Sequence, residues 1–247
     1  MRFASYLFLI IIIIFPACSE SEYEIETREE LSSIIRRVDN AHKSIYQSRD
    51  QVGSQSIMSS KDFYEEFSKK FDSIGDDLAA APTAEKFDSV RVYLEDIISL
   101  SNGYVFNKEK LFTNVFELSN TYSSYYSNAE DMLESVSNYR EADYSRDYYL
   151  DRIIDEYADM REDSATYYNA EDSIKGLMDD YNTTERDLMA STMKLNNTLI
   201  EMNFRDTLQF HNNYLFTDSV ITDVWNNTSG KDLRPSEDFS TGIKILR

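Results

Sequence analysis

Cysteine occurs once in this chain, at position 18, so no intramolecular disulfide can staple the fold. Only two histidines are present, His42 and His211, and with one thiol they cannot assemble a Cys/His zinc site. Breakers are almost as scarce. Between Cys18 and residue 230 there is one proline, Pro82, and the glycines are Gly53, Gly75, Gly103 and Gly176. Such a run favours long helices, and no convincing β alternation interrupts it. Positive charge is also in short supply, with 25 Lys and Arg against 45 Asp and Glu, a formal net charge of −20. That balance repels phosphate backbones and excludes nucleic acid as a partner, leaving neutral or basic ones. It also suits the solubility of an exported chain.

What the chain does contain is enough apolar material for a core: 41% of its 247 residues are hydrophobic and 13% aromatic. One apolar run stands apart. Phe3 to Phe15 includes the five isoleucines Ile10 to Ile14, follows the single charge of Arg2, and ends at Phe15-Pro16-Ala17-Cys18. It is shorter than the roughly 20 residues needed to cross a bilayer, yet long enough for a secretory signal. Phe15-Pro16-Ala17-Cys18 resembles the lipobox of bacterial lipoproteins, with Pro16 departing from the usual residue before the small one. The resemblance covers about the first twenty residues. It implies removal of residues 1–17, lipid attachment at Cys18, and a membrane partner reached through that lipid. Ser19 to Glu24 reads as an acidic linker, 18–24, similar to the signals that carry some lipoproteins to the cell surface. The implied address is the bacterial cell envelope, with the outer membrane or cell surface ahead of the inner membrane.

The remaining pattern is helical. Leu31, Ile34, Ile35, Val38 and Ile45 share one face of a helix expected over about 25–46, before a polar stretch from Gln47 to Ser56. Phe63, Phe67, Phe71, Ile74 and Leu78 mark a second, capped by Ser59 or Ser60 and closed before Pro82. Phe87, Val90, Leu94, Ile97 and Ile98 mark a third, with Thr83 as its cap and Asn102-Gly103 as its end. From Asn107 as a cap, Leu111, Val115, Leu118, Tyr122, Tyr125, Ala129, Met132, Val136 and Tyr139 recur at steps of four and three, a coiled-coil-like seam. Leu150, Ile153, Tyr157, Met160, Ser164, Tyr167, Glu171, Ile174, Met178 and Tyr181 form another, in which Ser164 and Glu171 are polar intrusions. Asn182 to Glu185 resembles a capping box that restarts the helix. A last seam runs through Leu188, Thr192, Leu195, Leu199 and Met202, then less regularly through Phe204, Leu208, Leu215 and Val220 to Trp225. The expectation is an all-α, elongated antiparallel bundle of about five or six helices over 25–225, followed by a C-terminal tail over 226–247 whose end, Ile243 to Arg247, docks on the bundle ahead of the alternative of a partner.

Few residues suggest chemistry. Asp39-x-x-His42 has the spacing of a carboxylate and imidazole on one helix face, but His211 is preceded at that distance by Leu208, so no di-iron pair forms. His42 reads as a solvated or capping histidine. No Gly-x-Ser-x-Gly elbow or glycine-rich phosphate loop is present. Acidic pairs such as Asp155-Glu156 and Asp179-Asp180 read as solvated faces. No catalytic residue, metal or cofactor is expected.

Tyrosine is the remaining signal, with eleven of the 18 falling between Tyr122 and Tyr181. Adjacent helical residues point about 100° apart, so in Tyr125-Tyr126, Tyr148-Tyr149 and Tyr167-Tyr168 one ring of each pair lies beside the core or near solvent. Tyr126, Tyr149 and Tyr168 are the candidate binding face, against the plainer reading of a wide core edge. The expected function is therefore a lipid-anchored, non-enzymatic interaction module whose partner is an envelope protein or glycan. A structural or assembly subunit is the alternative, and a bundle-type enzyme or metal protein comes third.

Overall fold

The computed structural model describes residues 20–52, 57–209 and 219–235. Five α-helices lie among the described residues: α1 Glu22–Val52, α2 Ile57–Ala80, α3 Asp88–Glu141, α4 Arg146–Glu201 and α5 Ser219–Thr228. A 3-10 turn, Glu85–Phe87, leads into α3. There is no strand among the described residues, so the fold is all-α. The lipobox segment, Cys18, His211, Leu215 and the tail from 236 lie outside the described residues, and none of the described helices is long and apolar enough to cross a membrane.

Helix ends differ from the expectations in instructive ways. The segment 18–24 is not a linker from Glu20 on: Glu24 N–H donates to Ser21 Oγ at 3.2 Å and Ser21 N–H to Glu24 Oε2 at 3.0 Å, a complete capping box for α1. At its other end α1 continues past Tyr46 to Val52. Helix α2 starts at Ile57, before the expected serine caps. Thr83 caps nothing; its N–H donates to Tyr23 Oη at 2.9 Å, and the 3-10 turn opens at Ala84.

The helices expected as four are two. Asn102-Gly103 does not end a helix, because the buried stripe carries on through it: Ile97, Ile98, Ser101, Tyr104, Val105, Lys108 and Leu111. That burial outweighs the roughly 1 kcal/mol a helical glycine costs. Asn107, expected as a cap, donates instead to Thr184 Oγ1 at 3.1 Å. Likewise α4 passes through Asn182–Glu185 without restarting. It ends where Asn203 turns to φ 56°, with Asn203 N–H bonded to Ile200 O and Phe204 N–H to Leu199 O, a Schellman cap.

The chain divides into two compact units where one bundle domain was expected. The first takes residues 20–46, 67–102 and 187–209 of the described chain. It is a four-helix bundle. Arg37 pairs with Asp77 at 2.6 Å and His42 stacks on Phe71 at 4.9 Å, which sets α1 antiparallel to α2. Phe87 lies under Arg28 and Ser101 against His42, so α3 runs parallel to α1, while the bond from Ser191 to Asp96 sets α4 antiparallel to α3. Its core holds every apolar position read from the sequence for the first and third helices. After α4 the chain is pinned by Asn196, which donates to Leu208 O at 2.8 Å and accepts from Leu208 N–H at 2.9 Å.

The second unit takes 47–52, 57–66, 103–186 and 219–235. Its frame is the α3–α4 hairpin, turned at 142–145, with Asn128 donating to Asp163 at 2.9 Å and Tyr104 facing Tyr181. Tyr64 of α2 packs towards Phe112, and α5 lies along α4. Of the expected seam, Ile153, Met160, Ser164, Tyr167, Glu171, Ile174 and Tyr181 are buried, polar intrusions included, while Leu150, Tyr157 and Met178 are half-buried.

Candidate functional site

Asp39 and His42, the one metal-like spacing, each have a partner elsewhere in the chain. Asp39 accepts from Gln209 N–H at 2.6 Å. His42 is buried and 2.7 Å from Ser101 Oγ, whose hydroxyl donates to Ile97 O. The hydroxyl proton being spent on that carbonyl, the imidazole donates through Nε2. Burial lowers its pKa to about 3, so the ring is neutral at any ordinary pH. His42 is thus a core residue rather than a solvated or capping one. The Ser101–His42 distance is that of a nucleophile and its base, but Ser101 is 0% exposed and no substrate reaches it. Among the described residues no group of three or more His, Cys, Asp or Glu side chains could hold a metal ion.

The tyrosine pairs divide as the helical geometry requires. Tyr125 is buried and Tyr126 is 46% exposed; Tyr167 is buried and Tyr168 half-buried; Tyr148 is 59% exposed and Tyr149 half-buried. Tyr126 stacks on Tyr122 at 4.9 Å and meets Tyr125 edge-on at 5.6 Å. Tyr122, Tyr125 and Tyr126 thus form one cluster of rings, and burial, then Tyr126, raises the Tyr125 pKa. Tyr149 does not join it. It packs on Tyr148 at 5.2 Å, 19 residues before Tyr168 on α4, or about 28 Å along the helix axis.

Tyr168 has a second task that periodicity did not disclose. Its hydroxyl donates to Asp232 Oδ1 at 3.1 Å and accepts from Leu233 N–H at 3.0 Å. One residue back, Tyr167 donates to Thr228 O and accepts from Lys231 N–H at 3.1 Å; one turn on, Glu171 accepts from Gly230 N–H at 3.1 Å. Three neighbouring side chains of α4 therefore clasp the backbone that follows α5, and Gly230 supplies the φ of 68° that this path needs. Asp232 is held below the usual carboxylate range by the Arg234 N–H, then by Tyr168. Bends of this kind carry no periodic signature, so only the polar intrusion at Glu171 hinted at them.

Two concavities lie in this unit, the first of them beside Tyr168. A groove of about 410 Å³ is lined by Arg161, Ser164, Ala165, Tyr168, Arg234 and Pro235. An apolar cavity of about 110 Å³ lies among Lys108, Leu111, Met178, Tyr181, Asn182, Ile221 and Thr222. The surface chemistry on offer is stacking and hydroxyl hydrogen bonding from Tyr126, Tyr144 and Tyr148, with Leu133 exposed on the Tyr126 side of α3. No family model, curated protein or solved structure matches the chain.

Proposed function

We propose that this protein is a lipoprotein of the bacterial envelope, held by lipid on Cys18 at the outer membrane or cell surface, that binds an envelope protein or glycan without catalysis. The address is supported by the Phe15-Pro16-Ala17-Cys18 resemblance. The binding role rests on one observation: on the tyrosine-rich α3–α4 hairpin, Tyr126, Tyr144 and Tyr148 are exposed. Exposed tyrosines are favoured where proteins or sugars are recognised, because a rigid ring offers contact area together with a polar tip. Of the expected face, Tyr126 is the residue best placed to serve.

The assembly reading has its own support in α4, where Met189, Met193 and Ile200 lie exposed at spacings of four and seven. One experiment separates the two. A photo-crosslinking aromatic residue is placed at Tyr126 or at Met193 in cells producing the full chain, and the adducts are identified by mass spectrometry. The binding role predicts a reproducible envelope protein or glycan adduct from position 126 and not from 193. Adducts only between copies of this chain, formed through 193, would replace it with the assembly role.

A further inference from the structure

The capping box at Ser21–Glu24 is part of a larger fastening. Glu20 Oε1 accepts from Arg28 at 2.9 Å and from Lys86 at 3.1 Å, and Lys86 also reaches Glu24 at 3.1 Å. Those bonds, led by Arg28 at Glu20 and by the Ser21 N–H at Glu24, hold both carboxyls below their usual range. Arg28 further donates to Met202 O at 2.9 Å, and Tyr23 Oη accepts from Thr83 N–H. The start of α1, the turn before α3 and the end of α4 are thus knit into one end of the first unit, with the chain fixed from Glu20 on.

One residue, Ser19, separates Glu20 from Cys18. Two extended residues span at most about 7 Å. A lipid on Cys18 would therefore enter a bilayer immediately beside this end, with no tether to let the domain stand off. Two large apolar side chains are exposed there, Tyr23 at 49% and Ile25 at 45%. First-turn side chains of a helix lean toward its N-terminus, which here is the direction of Cys18. Tyrosine is also a side chain favoured at membrane–water interfaces.

We propose that this end of the four-helix unit docks on the membrane surface, with Tyr23 and Ile25 in the interfacial layer; the inference rests on lipidation at Cys18. Glu20 and Glu24 reach that surface already paired with Arg28 and Lys86, while Glu22, Glu26 and Glu85 stay exposed, so the fitting headgroups are zwitterionic rather than anionic.

The test uses the full-length protein purified with its lipid and placed in phosphatidylcholine vesicles with brominated acyl chains. Tyr23→Trp, Ile25→Trp and Met193→Trp are compared, with the wild-type Trp225 signal as background, circular dichroism as the folding check, and intact mass as the check for acyl chains on Cys18. Docking predicts loss of most of the added fluorescence at 23 and 25 and little at 193. Because Tyr23→Trp removes the acceptor for Thr83, Ile25→Trp stands as the independent probe. An acylated, folded protein with no quenching at either site, or with equal quenching at 193, overturns the docking and leaves the anchor intact. A Cys18 without acyl mass overturns both.

Discussion

In the four-helix unit the large buried side chains are Leu, Ile, Val and Phe, with the imidazole of His42 among them. Every tyrosine buried among the described residues, Tyr64, Tyr104, Tyr125, Tyr167 and Tyr181, belongs instead to the unit framed by the α3–α4 hairpin. The same helical periodicity is therefore closed in two ways. Four helices enclose enough volume for apolar side chains to lose all contact with water. The hairpin unit adds to its apolar side chains others that bury a ring while spending a hydroxyl on a partner, as Tyr181 does on Tyr104 and Tyr167 on Thr228 O. One unit is specified chiefly by shape, the other by shape and hydrogen bonding together.

That contrast can be broken most sharply by removing volume from the first unit. Phe71→Ala, at a ring with 0% exposure, is expected to cost about 3–5 kcal/mol in urea unfolding. A loss below about 1 kcal/mol would show that the core there is not tightly packed.

Acid probes the imidazole of His42 inside the same core. His42 binds its proton near pH 6.5 when unfolded and near pH 3 when folded, so the unfolded state holds the extra proton between those values. Stability is expected to fall as pH drops from 6.5, by about 1.4 kcal/mol per unit from this residue. His42→Asn should flatten that slope whatever it does at neutral pH; an unchanged slope would assign the acid sensitivity to carboxylates.

Tyr167→Phe tests the other unit. The ring volume stays, while Thr228 O and Lys231 N–H lose their partner. The expected cost is about 1–2 kcal/mol, with faster amide exchange concentrated at Lys231 and its neighbours. Exchange that rises evenly through the molecule would deny the clasp a local role.

Much of this architecture is legible in the sequence because burial along a helix repeats at three and four residues. Leu31 to Ile45, Phe87 to Ile98 and Ile153 to Tyr181 can be read directly. Helix continuity is harder, since Asn102-Gly103 and Asn182–Glu185 carry local stop and start chemistry that an unbroken buried stripe overrides. Both sites nonetheless matter: the division between the units falls between Asn102 and Gly103, and between Arg186 and Asp187. The dipeptide marked a boundary of packing rather than of secondary structure. The capping box Ser21-x-x-Glu24 was readable, but acidic composition pointed to a linker. The partners of His42, Asp39 and Tyr168 were not readable, because each lies dozens of residues or more away in the chain.

The clasp on the chain after α5 also bears on how this molecule can change over generations. Most of its bonds end on main-chain atoms, at Thr228 O and at the amides of Gly230, Lys231 and Leu233. Backbone is the same whatever residue carries it. Apart from the buried Thr228 and Leu233, the left-handed Gly230 and the Asp232–Arg234 pair beside Tyr168, no side chain of that segment takes part, and the inheritance that fixes its path is written about sixty residues earlier, in Tyr167, Tyr168 and Glu171.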